Sequence, residues 1–229
     1  MQFQPIKITN ETAQMVDQFE QAILTGQLTI GERLPNERDL AQQLQIGRAS
    51  VNRGLQELSR LGFVTVKPRQ GNFIANYNET GNLETLNVII NFKGGTYRPS
   101  LLRSIFATRR LFEDDMIAHC DDPVALPAVS RALACVKTAE TVDEQSQKIF
   151  DFYHRLAIAS GNAVTPLLIL HFKSIYLTLG RWLLQSGYGA ELTQRMAGMV
   201  TALLAGEREE ARKQNDALID FCLANLLPA

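Results

Sequence analysis

After Asn10, a residue suited to capping, Met15, Phe19 and Ile23 recur every four residues until Gly26, a spacing that predicts a helix with one apolar side. A second helix opens at Asn36, just behind Pro35, and turns Leu40, Ala41 and Leu44 inward. The stretch 48–61 places Val51, Leu55 and Leu58 at i, i+4 and i+7, again one buried stripe. After Gly62 the period changes. Phe63, Val64, Thr65 and Val66 predict a strand and Asn72, Phe73 and Ile74 its partner, with Lys67, Pro68, Arg69, Gln70 and Gly71 as the turn between them.

What the third helix leaves outside its stripe is Arg48, Asn52 and Arg53. A helix fits the major groove of DNA, where guanidinium pairs with guanine and a side-chain amide with adenine. Arg48 and Asn52 share one face, so both are candidates to read bases. Arg38, near the start of the second helix, and Arg53 suit phosphates, and Arg69 suits a minor-groove edge or a phosphate beside the strand turn. Two helices, a short turn between them and a two-stranded wing with a basic tip make a winged helix-turn-helix.

Beyond it, 76–83 is polar and aperiodic and predicts a linker between a first domain over 1–75 and a second over 84–229. That second region carries almost no strand signal. Helical spacing runs over 101–118, where Leu102, Ile105, Phe106, Arg109, Phe112 and Met116 line up, and resumes after a break at Asp122 and Pro123. Further helices are expected over 125–138, 142–160, 164–185, 189–204 and 207–226, with Gly161, Asn162, Gly187 and Gly206 as stops. The expected fold is therefore mainly α: an N-terminal winged helix-turn-helix followed by an all-α helical-bundle effector and dimerisation domain.

Charge sharpens the first half of this picture. The chain has 229 residues and a net charge of −1, yet 45–75 holds the five cations Arg48, Arg53, Arg60, Lys67 and Arg69 against the single acid Glu57. Focused positive charge is what a phosphate backbone demands. With 45% hydrophobic residues the chain has enough material for two cores, and no apolar run reaches the ~20 residues of a membrane span. A cytoplasmic protein without membrane contact is the expectation. Cys120, Cys135 and Cys222 have neither CxxC spacing nor an even count, which predicts buried thiols rather than disulfides or zinc. No GxSxG and no phosphate-binding glycine loop is present, so no catalytic role is expected.

The run LPNERDLAQQLQIGRASVNRGLQELSRLGFVTVKPRQGNFI resembles the DNA-binding domain of the GntR family of bacterial transcription regulators, in its FadR branch. The resemblance implies that Arg38, Arg48, Ser50 and Gly71 lie at the DNA. Asn52 and Arg53 stand where that family usually has Arg then Glu, which implies a different operator. In the second domain, HRLAIASGNAVTPLLILHFKSIYLTLGRWLL and NETGNLETLNVIINF are similar to the acyl-CoA-responsive domain of the same branch. That resemblance implies a helical bundle that binds a long-chain acyl-CoA and releases DNA when occupied. Larger relatives hold a divalent metal through an Asp, a His four residues later and two further histidines. Here Phe150 stands four before His154, with Asp151 one step out of register, and Met196 and Leu218 occupy the other two places. Neither metal nor cofactor is expected.

An acyl thioester wants an apolar tunnel, with cations for its phosphates at the mouth. Phe106, Phe112, Phe150, Phe152, Phe172 and Trp182 are candidates for its lining, joined by Tyr176 and His154, with Arg109 and Arg181 as charge partners. Arg109 sits in an apolar stretch, so its guanidinium must meet an acid such as Glu113 or an anionic effector. The last helix presents Asn215, Ala217, Leu218, Ile219 and Cys222 where the branch offers a tyrosine, small residues and a tryptophan, which implies another chain length or effector. Two other readings stay open: a regulator answering to a small carboxylate, and an enzyme tethered to DNA. A two-fold, palindromic operator on double-stranded DNA predicts a homodimer.

Overall fold

The computed structural model describes residues 10–92, 99–120, 122 and 124–227, which fall into two compact units divided between Gly95 and Thr96. In the first unit, α1 (Glu11–Leu24), α2 (Glu37–Leu44) and α3 (Arg48–Arg60) precede the antiparallel pair β1 (Val64–Lys67) and β2 (Gly71–Ile74). Local chemistry sets the helix starts. The Asn10 side chain accepts from the Ala13 N–H at 3.2 Å and Asn36 from that of Asp39 at 3.0 Å, each satisfying a donor that the first turn leaves open. Met15, Val51, Leu58 and Phe63 meet in the core, all at most 2% exposed. α1 and α3 touch at Gly54, where a Cβ would lie 2.7 Å from the Met15 sulfur.

The wing has a third, unexpected edge. Segment 31–34 runs beside β2, with Gly31 N–H donating to the Ile74 carbonyl, Ile74 N–H to Glu32 and Leu34 N–H to Asn72, at 2.8–2.9 Å. Arg33 therefore pairs with Phe73 in an isolated bridge. One bridged residue carries no period for sequence reading to find.

Residues 76–83 do not behave as the expected linker. They form α4 (Tyr77–Thr80) and lead into α5 (Leu83–Asn91), and their polar side chains cap the end of α3. The hydroxyl of Thr80 donates to the Gly62 carbonyl at 2.8 Å, the Asn82 amide to Arg60 at 2.9 Å and the Thr85 hydroxyl to Leu61 at 2.6 Å. Arg60 clasps Glu57 and Glu84. Val88 and Ile89 of α5 pack on the same core, so the first unit extends well past residue 75.

Between α1 and α5 lies a cavity of about 630 Å³ lined by Asp17, Glu20, Asn87, Val88 and Phe92, among others. Burial, then the charges of Asp17 and Glu57, raise the Glu20 carboxyl from 4.5 to about 7. The native state thus holds a proton there that the unfolded chain releases, so Glu20 costs stability progressively as pH rises from about 4.5 to 7. Glu20→Gln should stabilise the protein above pH 7, by on the order of 1 kcal/mol at this half-exposed site. Urea melts at pH 4.5 and 8 check it: a gain equal at both values contradicts the assignment.

The second unit holds seven helices among the described residues: α6 (Pro99–Ala118), α7 (Leu126–Lys137), α8 (Val142–Ala159), α9 (Thr165–His171), α10 (Lys173–Gln185), α11 (Gly189–Leu204) and α12 (Arg208–Leu226). The single helix expected over 164–185 is two, bent by 60° at Phe172 with neither glycine nor proline to announce it. Pro123 lies outside the described residues. Gly180 lets α10 approach α8, where a Cβ would stand 3.0 Å from the Ser146 hydroxyl, which donates to the Leu177 carbonyl at 2.9 Å. Arg110 pairs with Asp216 and Asp220, and Arg212 with Asp114, so α6 and α12 run antiparallel with Asn215 within about one turn of Glu113. No single helix among the described residues is long and apolar enough to cross a membrane.

Candidate nucleic-acid interface and effector site

Arg38 and Arg48 line one open cleft of about 590 Å³ together with Arg33, Asn36, Glu37, Asp39, Gly71 and Asn72. Both arginines are exposed. No side chain caps α3, whose first residue is Arg48, so its positive end faces outward behind Gly47. The two acids of the cleft are engaged, Asp39 by the Asn36 amide at 2.7 Å and Glu37 by the Asn52 amide at 3.2 Å.

The remaining residues expected at the DNA divide. Asn52 is half-buried, donating to Glu37 and accepting from Gln56 at 2.8 Å, so reading an adenine with both amide atoms requires it to leave both neighbours. Ser50 turns inward. It is 7% exposed and donates to the Glu11 carboxylate at 2.9 Å, which removes its hydroxyl from the surface and corrects the expectation of a direct contact. It also accepts from Arg53 at 3.3 Å, which orients that guanidinium. Arg33, which sequence reading missed, stands in the cleft because its bridge to Phe73 carries it there.

At the wing tip, Gln70 N–H donates to the Lys67 carbonyl at 3.0 Å, closing a turn in which Arg69 takes φ +61°. That left-handed position favours glycine, and an L side chain there costs about 1 kcal/mol. Lys67 is parked over the Phe73 ring, 4.7 Å from its centroid, while Arg69 is exposed and has no ion pair among the described residues. Arg69→Gly should therefore raise the melting temperature slightly while weakening duplex binding about threefold to tenfold. Equal or tighter binding would show that the tip stays clear of DNA. Gly71 takes φ +112°, and a Cβ on it would lie 3.4 Å from the Arg33 Nε, so its role is to let the turn close beside Arg33.

In the helical unit, Arg109 finds the acid that its burial demands. Its Nε meets Glu113 at 2.8 Å, and its guanidinium lies over the rings of Phe106, Tyr153 and Tyr176 at 4.6–5.2 Å. Burial opposes the charge most strongly, but Glu113 together with Tyr176, Tyr153 and Cys222 turns the balance and holds the Arg109 pKa well above its ordinary value. Tyr176 donates to the same Glu113 oxygen at 2.8 Å, and burial, then Glu113, push its phenol upward. Phe150 packs edge-on against Tyr176 at 6.1 Å and stacks on His154 at 5.9 Å. Burial, then Arg155, lower the His154 pKa, which favours the neutral ring. Phe112 and Phe172 meet at 6.0 Å. Arg181 stands apart, paired with Asp143 at 2.6 Å near the start of α8, roughly 10 Å along that helix from Phe150. Phe152, Met196 and Leu218 are fully buried apolar residues, and the Asp151 carboxylate accepts from Gln147 at 2.7 Å. Glu113 keeps one oxygen, and Asn215 its whole amide, buried without a hydrogen-bond partner among the described residues.

Comparison with known proteins agrees with both halves. Residues 11–74 match the bacterial regulatory proteins of the gntR family, and 75–215 match the FadR C-terminal domain. The chain is 24% identical over 231 residues to the HTH-type transcriptional regulator Mce2R of Mycobacterium tuberculosis, covering 99% of this chain and 96% of that protein. It is 29% identical over 171 residues to a fatty acid metabolism regulator protein of Shewanella frigidimarina, covering 72% and 69%. Among solved structures, Lar of Listeria monocytogenes shares the fold with a TM-score of 0.62 at 13% identity, over 97% of this chain and 98% of that one. The chain belongs to the GntR family of bacterial regulatory proteins, with a FadR-type C-terminal domain: it is a DNA-binding transcription regulator and not an enzyme.

Proposed function

We propose that this regulator holds a palindromic operator as a homodimer in the cytoplasm, and that a long-chain acyl-CoA in the helical unit changes its grip. Arg48 and Asn52 read bases, Arg38 and Arg53 take phosphates, and Arg69 takes a minor-groove edge or phosphate beside the wing. The effector shifts the spacing of the two reading heads, and it does so only by preferring one of the two states.

One observation carries the choice of effector. Arg109 is already neutralised by the fully buried Glu113, so a free carboxylate placed among Tyr153, Tyr176 and Phe150 would bury surplus negative charge. A thioester is neutral and brings its charge only at the nucleotide end. The Asn215 amide supplies a buried donor for its carbonyl. The relatives named as fatty acid metabolism regulators support the same reading.

Thermal shift of the full chain against acyl-CoAs of several lengths, dicarboxylates and sugar acids tests it. A saturating acyl-CoA at about 100 times its Kd should add about 2.7 kcal/mol of stability, with no shift from the acids. A shift with the acids alone would move the effector to small carboxylates.

A further inference from the structure

We infer that Arg33 is a phosphate-binding residue of the operator complex, acting beside Arg38 and Arg48 from the edge of the wing. Nothing in the helix-turn-helix pattern reaches it, because it lies on the bridged segment before α2.

Three observations converge on it. Arg33 lines the same cleft as Arg38 and Arg48, which gathers three guanidiniums around one opening. The two acids of that cleft, Glu37 and Asp39, already accept from Asn52 and Asn36, and the Arg33 side chain has no ion pair or hydrogen bond among the described residues. Its backbone is fixed, since Leu34 N–H donates to Asn72 at 2.9 Å and Ile74 N–H to Glu32 at 2.9 Å, and Gly71 leaves its side chain room. Neighbouring cations behave differently. Arg60 is held by Glu57 and Glu84, Lys67 lies over Phe73, and Arg53 is drawn to Ser50. Three guanidiniums against the carboxylates of Glu37 and Asp39 leave the opening with a surplus of one positive charge, which attracts a polyanion. Arg33 stands on the bridged segment beside β2 and not on α3, so backbone phosphate is the group assigned to it, and a scrambled duplex separates that from base reading.

The inference rests on this unit docking on duplex DNA through α3. Its test is anisotropy of the full-length protein, as wild type, Arg33→Ala and Arg33→Lys, on an operator enriched from random duplexes and on a scrambled duplex, across a series of KCl concentrations. Arg33→Ala should flatten the slope of log K against log salt by about 0.9 for each chain bound and weaken both duplexes by the same factor, about threefold to tenfold per chain. Arg33→Lys should restore most of the slope, since a phosphate accepts a point charge. An unchanged slope in Arg33→Ala, with wild type still binding, overturns the inference alone. A loss confined to the operator overturns it in favour of base reading, and a loss of affinity with a lowered melting temperature and an intact slope overturns it in favour of a structural role. No salt-sensitive binding by wild type removes the docking itself, and Arg33 with it.

Discussion

Glu113→Ala should cost about 3–5 kcal/mol of stability, because it leaves the Arg109 guanidinium buried without its counter-charge. Glu113 is fully buried and also accepts the Tyr176 hydroxyl, so the substitution breaks two hydrogen bonds and opens a cavity at once. The damage is specific to the unpaired charge. Arg109→Met combined with Glu113→Leu removes both charges and keeps the volume, and should recover most of the loss. Urea unfolding of the two variants followed by the transition of the helical unit decides the matter. If the double variant is as unstable as Glu113→Ala, the loss comes from the Tyr176 hydrogen bond or from packing, and not from an unpaired charge on Arg109.

The second large effect concerns DNA. Arg48→Ala should cost about 1–3 kcal/mol of specific binding and relax preference at one base position of the operator. Arg48 is exposed at the first turn of α3, so the fold should be untouched and the melting temperature unchanged. Arg38→Ala, by contrast, should weaken all sequences alike, as loss of a phosphate contact does. Unaltered affinity and site preference in Arg48→Ala would place α3 outside the groove.

Much of the first unit is written locally. Asn10 and Asn36 cap the helices they precede, and Met15, Phe19 and Ile23 face the core as their spacing requires. The i, i+4 pairing of Arg109 with Glu113 was legible for the same reason, because both residues sit on one helix face. What escaped depends on contacts between distant segments. Arg33 reaches the cleft through one bridge to Phe73, and Ser50 turns inward because Glu11, 39 residues earlier, receives its hydroxyl. Residues 76–83 read as a linker because asparagine and threonine are common in loops; here they cap α3 and α5 instead. Arg181, expected as a charge partner at a tunnel mouth, pairs with Asp143 across α8 and α10, a contact that only helix packing sets.

If the cationic side chains around the α2–α3 cleft and the wing grip a duplex, binding must weaken steeply with salt. Anisotropy of the full-length protein on labelled genomic fragments, repeated from 50 to 200 mM KCl, tests it most directly. Log K should fall along a straight line against log salt with a slope of about −0.9 for each phosphate neutralised, steep enough to lose orders of magnitude in affinity over that range. Association that ignores salt, or none with any fragment, would contradict it.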